Sequence, residues 1–194
     1  MQISQEDPQI LRDFLNYHET IKGQSEKTIQ EYHLDLRMFL RFIKLMKHEM
    51  PYDTPLESIE IHDIGLELIR TITVTDVYEF LAYLAHDRVK FPNTAFATAG
   101  IGAAARARKL SSIKSFYKYL TVQTKQLKEN PVKDLEFPKV RRALPKYLTL
   151  EQSQALLQSV EGPAKQRDLA IILLFLNCGI RISELVGLNR TDIY

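Results

Sequence analysis

Apolar residues recur along this chain at alternating spacings of three and four, the mark of helices with one buried side. The clearest run is SEKTIQEYHLDLRMFLRFIKLM, where Ile29, Tyr32, Leu36, Phe39 and Ile43 keep that rhythm and Ser25 is the natural N-cap. A shorter run over residues 8–22 aligns Leu11, Phe14, His18 and Ile21. A third helix is predicted over 74–87, buried through Val77, Phe80, Leu81 and Leu84 and opened by TVTD, a capping-box variant. A fourth covers 103–122, with Leu110, Ile113, Phe116, Tyr117 and Leu120 inward. Residues 47–72, with EMPYDTP and an acidic stretch, lose the pattern and are expected to form a long excursion. KFPNTAFATAG is expected to be a loop. No segment carries a convincing strand pattern, so the predicted class is all-α.

Beyond residue 125 the character changes. KENPVKDLEFPKVRRALPKYLTLEQ is polar and basic, with prolines at 131, 138 and 145, as an interdomain linker would be. It ends at a capping box, Thr149 and Gln152, ahead of Leu150, Leu156 and Leu157. A second helix of this part, 164–178, is apolar nearly all round and is expected to be central to a core. Gly179 suits the C′ position, and SELVGL begins a further short helix. The predicted organisation is a helical domain over 1–125, a linker over 126–144 and a second unit over 145–194.

Composition narrows the chemistry. The single cysteine, Cys178, forbids an internal disulfide and suits a cytoplasmic protein. Cys178 itself is expected to be a small core residue. No apolar run approaches the roughly 18 residues of a membrane span, and the amino terminus is too acidic and polar for a signal peptide. The net charge of +2 is bland, but its distribution is not. Residues 1–100 hold 10 Lys and Arg against 16 Asp and Glu, whereas residues 101–142 hold 11 against 3. So basic a centre is the footprint of a polyanion partner, or of a solvated basic face.

Two helices carry the cations in stripes. On the other side of the helix opened by Ser25, away from its apolar residues, His33, Arg37, Arg41 and Lys44 form a basic stripe. On the fourth helix Arg108, Ser111, Lys114, Ser115 and Lys118 share the arc opposite its core. Lysines interleaved with serines bring charge and hydroxyls without bulk, which lets a helix approach a sugar-phosphate backbone. Arg106 and Lys109 fall nearer the apolar side, and Arg141 and Arg142 add charge in the linker. Arg181, just past a helix end, calls for an anion: a neighbouring carboxylate or a ligand phosphate. The five histidines lack metal-ligand spacing and are expected at the surface or in caps. No glycine-rich phosphate loop is present, and neither metal nor cofactor is indicated.

The box CGIRISELVGLNRTDI resembles the first active-site box of the tyrosine recombinases, the phage-integrase family. GQSEKTIQEYHLDLRMFLRFI, RKLSSIKSFYKYL, KENPVKDLEFPK, ALPKYLTLEQ and RDLAIILLFL follow the amino-terminal half of its Xer-like members in order. Residues 47–72 are longer than the compact loop expected there. The resemblance implies a four-helix, SAM-like core-binding domain, then the first helices of a catalytic domain whose sheet would follow. It implies binding of double-stranded DNA at a recombination site, with self-association or a paired recombinase, and no membrane or small-molecule substrate. It assigns Arg181 to the first catalytic arginine and Glu184 to an acidic supporting position. The strand exchange it implies runs through a 3′-phosphotyrosyl link and needs no metal or ATP. No H-x-x-R occurs in the chain, and Tyr194 is not in a nucleophile's context. The chain is therefore expected to be a catalytically incomplete amino-terminal portion. Chromosome-dimer resolution and mobile-element integration or excision both remain open. So does a non-enzymatic helical adaptor that keeps the fold.

Overall fold

A computed structural model describes residues 6–90, 94–95, 97–140 and 144–192. The chain divides into two compact units between Arg141 and Arg142. Those two arginines, and Tyr194, lie outside the described residues.

The first unit is built around α2 (Glu26–Lys47), which packs against α1 (Gln9–Asn16), α4 (Val74–His86) and α5 (Ala103–Lys118). Its buried Ile29, Leu36, Phe39 and Ile43 keep the apolar rhythm of the sequence, with Leu40 added and Tyr32 only half-buried. Phe14 meets Phe116 edge-on at 5.4 Å and Phe39 meets Phe80 at 5.3 Å, pairs worth about 0.5–1.5 kcal/mol each beyond area burial. The expected helices at 8–22 and 103–122 both end in one π-helical turn, Tyr17–Ile21 and Tyr119–Gln123.

The structure corrects four expectations in this unit. The excursion is docked: Ile59, Ile61, Ile64, Ile69 and Ile72 are buried, and it contains a 3₁₀ turn (Leu56–Ser58) and α3 (Leu66–Thr71). Regular isoleucine burial holds it down where no helical period is present. The loop after α4 carries a minimal antiparallel pair, β1 (Val89–Lys90) and β2 (Thr98–Ala99). Gly100 closes that pair at φ +77°, with its N–H donating to Arg88 O at 2.8 Å. A Cβ at Gly100 would stand 2.0 Å from Ala85 O, so only glycine fits. Leu127, Val132 and Leu135 are buried in the core, so the first half of the segment predicted as linker is packed. His18 and His33 are buried, not superficial; His33 Nε2 lies 2.7 Å from the fully buried carboxylate of Asp7.

The second unit contains α6 (Leu150–Gln158), α7 (Lys165–Cys178) and α8 (Ile182–Val186). The capping box of α6 forms as expected: Gln152 N–H donates to Thr149 Oγ1 at 3.2 Å, and Thr149 N–H to Gln152 Oε1 at 2.9 Å. Gly179 takes φ +60° and turns the chain. The expectation that α7 is central to a core fails. No residue of these three helices is buried, Leu173 and Leu176 face solvent, and Cys178 is exposed. A helix apolar on several sides needs neighbours on each, and among the described residues the main partner of α7 is α6. Among the described residues no helix is long and apolar enough to cross a membrane.

Candidate nucleic-acid interface

In the first unit the seam between α2 and α5 decides what the cations can do. Asp35 projects from α2 and is fully buried. It accepts hydrogen bonds from Arg108 at 2.8 and 3.0 Å, from Lys109 Nζ at 2.7 Å and from Ser112 Oγ at 2.8 Å. Arg108 also pairs with Glu31. A carboxylate out of water is tolerable only when saturated in this way. Lys109, at 6% exposure, is therefore a strut between helices, while the Arg108 side chain stays 46% exposed and faces outward as well. Arg106 donates to Ile101 O and fixes the turn into α5.

The α2 stripe is likewise occupied from within. Lys44 Nζ reaches Asp63 at 2.6 Å and the Glu60 carbonyl at 2.8 Å, both on the excursion. That contact holds the Asp63 carboxyl below its usual range. Arg41 Nε donates to Ile59 O at 3.1 Å. Burial, and then Arg37 alongside, lower the proton affinity of Arg41. Arg37 lies 3.4 Å from Asp7 Oδ1 and 3.7 Å from Glu6, close enough to attract without a well-formed hydrogen bond from Nε. The acidic excursion and amino terminus thus meet much of the charge that the spacing alone leaves facing solvent.

What remains open is a cleft of about 640 Å³ between α2, α5 and the β pair. Arg37, Arg41, Arg88, Arg108 and Lys109 line it, against Asp35 and Glu57. Arg88 joins from the position just before β1, and nothing in its local sequence marks it. Farther along α5, Ser111 and Lys118 are exposed and Lys114 and Ser115 half-buried. Ser115 Oγ stands 3.5 Å from His18 Nε2, and Lys114 Nζ donates to Leu135 O at 2.7 Å. His18 has its proton affinity lowered, chiefly by burial, against the opposing hydrogen bond that its ring makes to Gln24 Oε1.

In the second unit the turn at Gly179 places Arg181 at the N-cap of α8, with its side chain 81% exposed. Glu184, one turn on, accepts from the Arg181 backbone N–H at 2.8 Å and from the guanidinium at 2.9 Å. The arginine side chain has no acceptor to return a cap, so the carboxylate does all the holding. An exposed pair like this adds little stability. Its effect is orientation: one guanidinium edge is tied and the other donors stay available to an anion. Both candidate partners of Arg181 are therefore compatible, one in place and one left room for.

The chain is similar to the tyrosine recombinase XerC of Caldanaerobacter subterraneus subsp. tengcongensis, 44% identical over 186 residues, which is 96% of this chain and 50% of that protein. It is similar to XerD of Shewanella oneidensis, 33% identical over 185 residues, with 94% and 51% covered. XerC of Thermodesulfovibrio yellowstonii is 32% identical over 189 residues, with 94% and 50% covered. The chain spans about half the length of the curated relatives it matches. No family model and no solved structure matches it.

Proposed function

We propose, from the premise that the chain corresponds to the amino-terminal region of a Xer-like tyrosine recombinase, that its first unit grips duplex DNA at a recombination site. Its second unit supplies the first catalytic arginine. The observation that carries this is the match to XerC and XerD proteins over 94–96% of the chain. In this function the parent protein cuts and rejoins DNA through a 3′-phosphotyrosyl intermediate. The nucleophile and the second arginine come from residues beyond these 194. The covalent link conserves phosphodiester energy, so no ATP is needed. Arg181, oriented by Glu184, offers a two-pronged contact to the scissile phosphate as negative charge builds on it. Copies of the protein, or a paired recombinase, assemble on the DNA.

The test is the parent enzyme with Arg181→Ala on a nicked suicide substrate, counting covalent adduct on a denaturing gel. Binding stays near wild type, because most affinity comes from backbone contacts elsewhere. Adduct formation falls by about 10²–10³-fold, the usual loss for one preorganised donor, and Arg181→Lys restores only part. Adduct at the wild-type rate would make Arg181 purely structural, and adduct from the 194-residue chain alone would place the nucleophile within it.

A further inference from the structure

The packed half of the expected linker creates a site that α5 does not make alone. The turn at residues 128–133 lies against the last turns of α5 and encloses a cleft of about 690 Å³. Lys114, Lys118, Lys128 and Lys133 line it with Thr121 and Asn130, against one carboxylate, Glu129. The turn is a built feature: Leu127 and Val132 are buried, and Val132 N–H donates to Asn130 Oδ1 at 3.0 Å. Leu127 N–H also donates to Leu120 O at 3.1 Å.

Four ammonium groups around one cleft repel one another unless an anion is shared among them. Only Lys114 is otherwise engaged, by the Leu135 carbonyl at 2.7 Å and by the Phe137 ring at 5.1 Å. Lys118, Lys128 and Lys133 are exposed and have no acidic partner within ion-pair distance among the described residues. We infer that Lys118, Lys128 and Lys133 together hold one stretch of DNA phosphate backbone, and that Lys114 positions the turn that carries two of them. This rests on the DNA-binding function proposed above. It makes residues 126–135 a fixed arm of the DNA-binding unit, where the sequence pattern gives a tether. Lysines suit the task because point charges on flexible stems follow a backbone without demanding a base sequence.

The experiment is a salt titration of duplex DNA binding by the 194-residue chain, comparing wild type, K128Q/K133Q, K118Q and a control, K165Q, in the second unit. Each neutralised phosphate contributes about 0.9 to the slope of log affinity against log salt. The double variant is expected to lower that slope by about 2 and K118Q by about 1, on any duplex sequence, with K165Q unchanged. An unchanged slope in K128Q/K133Q, while wild type still binds in a salt-dependent way, overturns this site and leaves the DNA-binding function standing. If those variants instead weaken self-association of the chain at an unchanged slope, the cleft seats a second copy and the inference also falls. Absence of DNA binding by wild type removes the function itself, and this site with it.

Discussion

Asp35 shows how one residue can redirect a surface. It stands three residues after Tyr32 and four before Phe39, squarely on the apolar side of α2, and Lys109 falls near the apolar side of α5. Opposite charges misplaced on two helices that share a core are a legible sign of a pair, and the structure joins them at 2.7 Å. What spacing could not give is the third and fourth partners, Arg108 and Ser112, which depend on how α5 is rotated against α2. Removing the carboxylate would strand a buried ammonium. Asp35→Asn is therefore expected to cost about 3–5 kcal/mol in urea unfolding, the penalty for breaking one side of a buried pair. A loss below about 1 kcal/mol would mean that water already reaches the seam. The Arg181–Glu184 pair is the opposite case. Its box was readable because every contact is within one turn, and its exposure makes its stability contribution small.

At the scale of elements, legibility follows locality. The capping boxes of α4 and α6 and the left-handed turn at Gly179 are set by neighbours within four residues, and all three form where the sequence places them. The excursion was not readable, because α3 and its isoleucines gain order from the first unit's core and not from their own period. The start of α4 links the two kinds. Thr73 N–H donates to Asp76 Oδ2 at 2.6 Å, and Lys47, from the end of α2, pairs with Asp76 Oδ1 at 2.7 Å. Burial raises the Asp76 pKa, but the hydrogen bonds from Lys47 and Thr73 outweigh it and leave the group below its ordinary 3.8. A folded-state pKa below the unfolded one adds stability that is present above pH 3.8 and is lost as pH falls through the folded value. Asp76→Asn is expected to cost about 1–2 kcal/mol near neutrality, because it weakens the N3 half of the capping box and removes the charge that Lys47 pairs with. It should also flatten the acid limb of stability against pH. An acid limb of unchanged steepness would assign that limb to other carboxylates.

For the whole molecule, the two units differ in kind. The first has a continuous core from Ile10 to Leu135, whereas the helices of the second bury no residue. The boundary between Arg141 and Arg142 falls inside the segment that composition marks as linker, near its carboxyl-terminal end. Prolines, charge and the lack of a helical period mark 126–144 as one linker, and those signals are blind to three well-spaced apolar residues, Leu127, Val132 and Leu135. Burial of these side chains divides the segment into a docked half and an open half. Limited trypsin digestion reads that division directly, since a protease needs several residues of backbone free to enter its site. Lys128 and Lys133 have exposed side chains on backbone anchored by buried neighbours. Lys139 and Lys146 are exposed in irregular chain, and Leu144 and Tyr147 nearby are 91% and 85% exposed. First cuts are therefore expected after Lys139 or Lys146, releasing a first-unit fragment that still carries Lys128 and Lys133. Early cleavage after Lys128 or Lys133 would mean that the arm peels away from α5, and the lysine cleft could not then be a standing feature of the free protein.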